Sequence, residues 1–418
     1  MNDYFDRFIR NQEHFDNTIS YILRNPIYAG LAAQAADWPY SGIDTGNAGV
    51  SPASSTNHTT MLATDAGETP AIPGKSQLVA NAGETPAIQG KSQLVANAGG
   101  TPALPVRHAS LTKHPTPAIF APDGTATEAR NINPYLIDAP TTFIESRPKP
   151  LCDVPEILTG SQRLDNDLYM FTEEERNDFI RKEPKSEHLF RRWLGSDEFI
   201  NNKVRYCIYL GACTPKELRE MPRVLKLVEQ VRAWRLQSSR PQTVKAADAP
   251  NKFYLEVIPT TNFIIVPVVS SERRQYVPIG FMTPDVLCSN QVNIIPSATL
   301  FHFAVLTSSA HMAWMRAVCG RLEMRYRYSA SVVYNNFPWP GGAAAGLEAA
   351  AQAILDARAA HPDSSLADLY DPATMPTALR RAHRANDRAV LRAYGWADNP
   401  GEQEIVARLF ALYENMVG

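Results

Sequence analysis

The chain has 418 residues, of which 44% are hydrophobic and 20% are charged, a composition typical of a globular protein with two or three domains. Its formal net charge of -2 excludes a uniformly basic protein, and no apolar run reaches the roughly 18 residues that a membrane span needs. Charges close to the N-terminus are unlike a secretory leader. Five scattered cysteines without a Cys-x-x-Cys pair argue against a zinc site or a disulfide framework, and they favour a reducing, cytoplasmic location.

A short first segment spans residues 1–43. Its apolar residues recur at helical spacing until Pro26 ends the helix. Tyr21 on that helix, followed by the aromatic turn Asp37–Tyr40, resembles the C-terminal end of REP-associated tyrosine transposases, in which such a tyrosine cleaves DNA. That family also requires a His-x-His pair upstream, and only His14 precedes the helix here. We therefore interpret the segment as a transposase-like fragment and Tyr21 as a packing residue.

A low-complexity segment follows at 44–130. A sixteen-residue unit recurs from Asp65 (DAGETPAIPGKSQLVAN) and from Asn81 (NAGETPAIQGKSQLVAN), and a decayed third copy begins at Asn97. A fixed period of this kind can indicate a solenoid. Each unit has too few apolar residues to bury a core, however, so we predict a disordered linker.

From Asn131 onward the chain mixes strand and helix patterns, and the predicted fold class is α+β. Capping boxes start one helix after Thr172 and another after Thr214, the second with proline at its first position and an expected end near Leu236. Further elements are predicted as strands at 205–210 and within 253–269, and as helices within 297–319 and at 343–360, 376–394 and 403–416.

The stretch Arg321–Pro340, RLEMRYRYSASVVYNNFPWP, combines arginines with tyrosines in a way that a folding core does not require. The alternation from Tyr326 to Val332 has period two, which predicts an extended segment with Arg325 and Arg327 on one face. Arginine donates paired hydrogen bonds to phosphates and guanine edges, and tyrosine offers a stacking surface. A solvated strand edge with charged outer residues is the alternative.

A second basic region lies between Arg181 and Arg240, where Lys and Arg are twice as numerous as Asp and Glu. Six of the fourteen Lys and Arg residues fall on the helix predicted after Thr214. A surface of this kind suits a polyanion such as DNA, and a solvated helix face explains it equally well. The predicted helix carries Lys216, Arg219, Arg223, Lys226, Arg232 and Arg235.

The globular part resembles the C-terminal part of MmeI-like type IIL/IIG restriction–modification proteins. The segments that carry the resemblance, in family order, are INPYLIDAPTTFIESRPKPLCDVPEI, WLGSDEFIN, SSERRQYVPIGF, TSSAHMAW, GRLEMRYRYSASVVYNNFPWP and SSLADLYDPATMP. The resemblance implies a mixed target-recognition domain over 131–340 that binds double-stranded DNA, and a small helical domain over 341–418. It also implies, for complete proteins, a nuclease domain and an adenine-N6 methyltransferase domain that uses S-adenosylmethionine.

The residues depart from the family in one respect. Amino-methyltransferases hold the target amine with an Asn-Pro-Pro-aromatic motif, and this chain has no Pro-Pro pair. We therefore assign no catalytic, cofactor-binding or metal-binding residue and predict a DNA recognition module. Two alternatives stay open: an active methyltransferase formed with a separately encoded methyltransferase or nuclease subunit, and a non-functional genomic fusion.

The resemblance points to Glu323 and Arg325 as base-reading residues, because glutamate accepts from cytosine N4 and arginine donates to guanine. The pair could instead neutralise itself, and the arginines after Glu272 could form surface ion pairs. Tyr326 and the paired asparagines could buttress the reading strand rather than touch DNA. The remaining predicted DNA contacts are Arg147, Arg273, Arg274, Tyr326, Arg327, Asn335 and Asn336.

Overall fold

The computed structural model describes residues 118–120 and 126–418, except 134, 136, 212, 342–345 and 397. The predictions for 1–43 and for most of 44–130 concern residues outside this part of the chain. None of the described helices combines the length and the apolar character that a bilayer crossing requires.

The strands are short and form separate small sheets. One four-stranded sheet has the order β10-β5-β6-β4 with β10 parallel to β5, and a second has the antiparallel order β3-β11-β7-β9. A three-stranded sheet, β12-β13-β8, and the hairpin β1-β2 complete the set. The strands are β1 (Ala118–Phe120), β2 (Ala126–Glu128), β3 (Leu158–Thr159), β4 (Met170–Phe171), β5 (Phe190–Leu194), β6 (Tyr206–Ile208), β7 (Phe263–Pro267), β8 (Val269–Ser270), β9 (Gly280–Met282), β10 (Val286–Cys288), β11 (Val292–Pro296), β12 (Gly320–Leu322) and β13 (Arg325–Arg327).

Helices surround these sheets and dominate the C-terminal part, which confirms the α+β prediction. The helices are α1 (Glu173–Lys182), α2 (Ser196–Ile200), α3 (Pro215–Arg219), α4 (Pro222–Leu236), α5 (Pro241–Lys245), α6 (Leu300–Leu306), α7 (Ser309–Val318), α8 (Leu347–Ala359), α9 (Leu366–Leu369), α10 (Thr377–Ala393) and α11 (Glu402–Val417). Short 3-10 helices lie at Pro184–Leu189 and Ala246–Asp248, and a π-helical turn lies at Ala330–Tyr334.

Local capping starts α1 as predicted. The Thr172 hydroxyl accepts from the Glu175 N–H at 3.2 Å, and the Glu175 carboxylate accepts from the Thr172 N–H at 2.8 Å. These reciprocal bonds satisfy two backbone donors that the first helical turn leaves without partners.

The prediction of one continuous helix from Thr214 to Leu236 is wrong. Its capping box is present, but the helix ends at Arg219 and a second one, α4, begins at Pro222. Proline lacks the N–H that would continue the ladder, and its ring clashes with the carbonyl four residues earlier. Pro222 is accepted at the first position of a new helix, where no such bond is needed.

Arg235, predicted as part of a basic outer face of this helix, is instead buried, with 1% of its surface exposed. Its guanidinium donates to the backbone carbonyls of Leu164 (2.7 Å), Ala246 (2.7 Å), Ala249 (3.0 Å) and Lys252 (2.8 Å). A buried charge requires such partners, so Arg235 joins the chain on both sides of α4 rather than facing an external polyanion.

The largest core joins the middle of the chain to the C-terminal helices. The Trp314 ring on α7 lies 5.3 Å from Phe410 on α11 and 6.2 Å from Phe337, and its indole N–H donates to the Val333 carbonyl at 3.0 Å. Helix α10 packs on α8, and α8 packs on α6. The residues on the two sides of position 340 therefore share one apolar cluster, which also includes Tyr326 of β13.

Candidate nucleic-acid interface

The hairpin formed by β12 and β13 projects charged side chains from a thin sheet. The pair Leu322 and Arg325 closes it around a two-residue turn, and Tyr326 on β13 pairs with Ser270 on β8. Arg325 and Arg327 are exposed, whereas Tyr326 between them is 7% exposed. The predicted common face of Arg325 and Arg327 is confirmed, because successive residues of a strand point to opposite sides.

The extended conformation ends earlier than the period-two pattern predicted. Strand β13 stops at Arg327, and Ala330–Tyr334 forms a π-helical turn with Val332, Val333 and Tyr334 buried. A run of apolar residues suits a buried turn as well as a strand, and tertiary packing on α7 selects the turn.

The tip of the hairpin carries the predicted base-reading pair. Glu323 has a left-handed φ of 58°, and its carboxylate accepts from the Arg325 guanidinium at 2.7 Å. Both side chains are open to solvent, with exposed fractions of 76% for Glu323 and 47% for Arg325. An exposed ion pair of this kind contributes little to stability, so either group is free to exchange its partner for an external one.

Arg321 stiffens the hairpin from its other face. Its guanidinium lies 4.0 Å from the centre of the Tyr326 ring and donates to the Met324 carbonyl at 3.1 Å. Tyr326 is therefore covered by a side chain of its own hairpin. Its expected DNA contact is corrected to a buttressing role, because a covered ring offers no face for stacking on a base.

Asn335 and Asn336 also support the chain from within rather than lying on its surface. Asn336 is 0% exposed, and its amide donates to the carbonyls of Glu145 (2.8 Å), Ser331 (3.0 Å) and Val332 (3.2 Å). Asn335 is likewise buried and donates to the Arg147 carbonyl at 2.8 Å. The expected DNA contact of both asparagines is corrected, because buried amides with backbone partners cannot reach a duplex.

Arg147 is tied into the same network. Its Nε donates to the Asn336 side-chain oxygen at 3.3 Å, and its backbone N–H donates to the Ser331 carbonyl at 2.9 Å. The structure thus brings Arg147, Asn335 and Asn336 together at the π-helical turn, apart from the exposed tip of the hairpin.

Arg273 and Arg274 lie on the loop after β8, which borders a cleft of about 620 Å³. Tyr326 lines the same cleft, so the loop and the back of the hairpin both border it. Burial lowers the pKa of Arg274, and the nearby Asp371 charge acts in the opposite direction. Within the described chain neither arginine forms an ion pair, so the alternative of a pair with Glu272 is not observed.

The C-terminal helices also line the cleft. Arg384 and Arg388 of α10 line it and are exposed. Sequence analysis missed both residues, although Arg380, Arg384 and Arg388 recur at intervals of four, which places them on one helix face.

Two carboxylates of the cleft are already engaged by the protein. Glu402 receives two hydrogen bonds from Arg316, at 2.7 and 2.9 Å. Asp387 accepts from the Tyr276 hydroxyl at 2.6 Å and from the Ser309 N–H at 2.7 Å. Burial raises the pKa of Asp387. These contacts hold the two carboxylates in place in the lining of the cleft, which also includes five arginines.

The turn at Gly195 does not fit S-adenosylmethionine, the cofactor that the family resemblance implies for complete proteins. Strand β5 leads through Gly195 into α2, which is the order in which a glycine turn can cradle such a ligand. A Cβ atom added at Gly195 would lie 2.7 Å from both the Gln291 and the Glu198 side-chain oxygens. The protein's own side chains fill this turn. Among the described residues, no three His, Cys, Asp or Glu side chains are grouped to hold a metal ion.

Two family models match the chain. The target recognition domain of MmeI matches residues 138–341, and the C-terminal domain of MmeI matches residues 343–418. The chain belongs to the MmeI family. A solved structure of the type IIL restriction–modification enzyme MmeI in complex with DNA is 42% identical, with a TM-score of 0.68. The match covers 73% of this chain and 42% of the MmeI chain.

DNA methyltransferase A of Bacillus subtilis (strain 168) is 37% identical over 298 residues, 70% of this chain and 34% of that protein. This MmeI family member thus spans less than half the length of either relative. The MmeI resemblance of the globular part is confirmed. The matched residues do not include 1–43, so the transposase resemblance has no support from the comparisons.

Proposed function

We propose that this chain recognises a specific sequence of double-stranded DNA by placing the β12–β13 hairpin in the major groove. The observation that carries the proposal is the pairing of exposed Arg325 and Arg327 on one strand face with Glu323 at the exposed tip. A two-stranded ribbon fits the major groove, which is about 12 Å wide. The membership in the MmeI family, whose matching domain is described as target recognition, supports the same function.

Arg325 and Glu323 are the proposed base-reading residues. The Arg325 guanidinium leaves Glu323 and donates two hydrogen bonds to guanine O6 and N7, and Glu323 accepts from cytosine N4. Arg327, two residues further along on the same strand face, contacts the next base or the phosphate beside it. The ion pair at the tip holds both groups in the hairpin until the duplex replaces it.

Methyl transfer is a second proposal and concerns a complex rather than the described residues. In it, this chain supplies specificity in the cytoplasm to a separately encoded methyltransferase subunit that uses S-adenosylmethionine. The name of the B. subtilis relative, of which the chain spans 34%, favours this arrangement. Cys152, Cys207, Cys213 and Cys288 are free thiols, as a reducing compartment allows. Co-purification with a subunit that transfers tritiated methyl groups to DNA supports it, whereas methyl transfer by the chain alone contradicts it.

The recognition proposal is tested by selecting duplexes from a randomised pool with the full purified chain and sequencing the retained fraction. Arg325→Glu should relax the preference at one base pair, which corresponds to a loss of about 1–3 kcal/mol of discrimination. Arg181→Glu is the matched control, because Arg181 is an exposed arginine of α1 that pairs with Asp178 outside the hairpin. Equal weakening of Arg325→Glu on all sequences would show that Arg325 does not read a base.

A further inference from the structure

The cleft behind the hairpin carries more arginine charge than the described chain neutralises. Four of its lining residues, Arg273, Arg274, Arg384 and Arg388, form no ion pair within the described residues. A fifth, Arg316, is held by both oxygens of Glu402. The cleft is lined by five arginines and by the three carboxylates of Glu272, Asp387 and Glu402, so the surplus is positive.

The arrangement of these arginines is unfavourable for the protein on its own. Arg380, Arg384 and Arg388 follow one another at four-residue intervals on α10, and like charges at this spacing destabilise a helix by a few tenths of a kcal/mol per pair. Arg274, which also lines the cleft, is half-buried, and the nearby Asp371 charge offsets only part of the cost of withdrawing its guanidinium from water, because burial still lowers its pKa. An anion in the cleft would relieve both costs.

The position of the cleft indicates which anion. Tyr326 lines it, and Tyr326 lies on the face of β13 opposite to Arg325 and Arg327. The cleft and the base-reading face are therefore the two sides of one thin ribbon. A ribbon lying in the major groove has bases in front of it and a sugar–phosphate strand along its flank.

We propose that this cleft holds the sugar–phosphate backbone of one strand of the duplex that the hairpin reads. In this arrangement Arg273 and Arg274 of the loop contact phosphates from one side, and Arg384 and Arg388 of α10 contact them from the other. The C-terminal helices thereby take part in DNA binding and fix the register of the hairpin in the groove. The inference rests on the proposed recognition of duplex DNA.

The test compares the salt dependence of binding by the full chain and by two double variants, on a selected duplex and on a scrambled duplex of equal composition. Arg384→Gln with Arg388→Gln should reduce the slope of log affinity against log salt by about 1.8, or roughly 0.9 for each lost phosphate contact. It should weaken binding to both duplexes by the same factor. The conservative pair Arg384→Lys with Arg388→Lys should keep the slope near that of the wild type, because lysine retains the charge.

Arg381→Gln with Arg392→Gln is the matched control, because both arginines are exposed on the same helix and neither lines the cleft. Its slope should equal that of the wild type, and urea unfolding midpoints should show that both glutamine variants are folded. In a second arm, neutral methylphosphonate linkages replace single phosphates. At the position held by the cleft, the substitution should weaken the wild type but not the Arg384→Gln, Arg388→Gln variant.

The outcomes separate this inference from the proposed function. An unchanged slope in the Arg384→Gln, Arg388→Gln variant, with sequence selection intact, overturns the cleft assignment and leaves base reading by the hairpin in place. If the wild-type chain selects no sequence from the pool, the proposed function itself is overturned. Stabilisation of the wild type by inorganic phosphate, with no change in the DNA salt slope of the variant, would make the cleft a site for a small anion and overturn the backbone assignment.

Discussion

Asn336 holds the chain behind the hairpin, and its replacement by alanine should destabilise the fold without removing a DNA contact. Its amide donates to three backbone carbonyls, and its oxygen accepts from Arg147. The Ser331 carbonyl keeps the Arg147 N–H as a second partner, whereas the Glu145 carbonyl loses the one donor observed for it among the described residues.

The expected cost follows from these partners. An orphaned carbonyl costs about 1–3 kcal/mol, and the weaker bonds contribute about 1 kcal/mol together, so Asn336→Ala should lower the free energy of unfolding by about 3 kcal/mol. With an m-value of about 3 kcal/mol/M, the urea midpoint should fall by roughly 1 M. Asn177→Ala is the control, because Asn177 is exposed on α1, and its free energy of unfolding should change by less than about 0.5 kcal/mol.

Urea unfolding followed by fluorescence measures both midpoints, and duplex selection below the transition measures specificity. The folded fraction of Asn336→Ala should select the same sequence as the wild type. A variant with the wild-type midpoint and lost selection would refute the reasoning, because it would make Asn336 a DNA contact rather than a support of the fold.

Two further buried groups give independent tests. Arg235→Met should lower the free energy of unfolding by about 4 kcal/mol in urea titrations, because four backbone carbonyls lose a charged donor; a loss below about 1 kcal/mol would contradict the network. Burial lowers the pKa of His311 to about 3, and its Nε2 lies 2.9 Å from the Tyr328 hydroxyl. The unfolded chain therefore binds a proton that the folded chain excludes below about pH 6.5, and stability should fall as the pH falls from there towards 3. One such histidine lowers the free energy of unfolding by about 2 kcal/mol between about pH 7 and about pH 5. His311→Gln should reduce the measured change in unfolding free energy over that range by the same amount. An equally steep profile in the variant would assign the pH dependence to other groups.

The elements that were predicted well depend on local chemistry. The capping box at Thr172 and the alternation of Arg325 and Arg327 each follow from residues within one turn or one strand. Pro222 was equally visible in the sequence, and the break between α3 and α4 could have been predicted from it. The error was to extend the helix that starts at the Thr214 capping box through Pro222.

The side chains that were predicted less well have roles set by distant partners. Asn336 was assigned to DNA because its type suits base contacts, yet its partners lie near Glu145, almost two hundred residues earlier. Arg235 belongs to a basic run, but the carbonyls that receive its hydrogen bonds come from both sides of α4. No pattern within a short window distinguishes a buried, satisfied polar group from an exposed one.

The sequence by itself determined the fold class, the family and the common face of Arg325 and Arg327, because periodicity, caps and motif order are properties of neighbouring residues. Only the tertiary structure decided that Tyr326 is covered, that Glu323 and Arg325 are paired at the tip, and that Arg384 and Arg273 line one cleft. Packing of α10 and α11 on the shared core sets that cleft, and such packing depends on contacts between residues far apart in the chain.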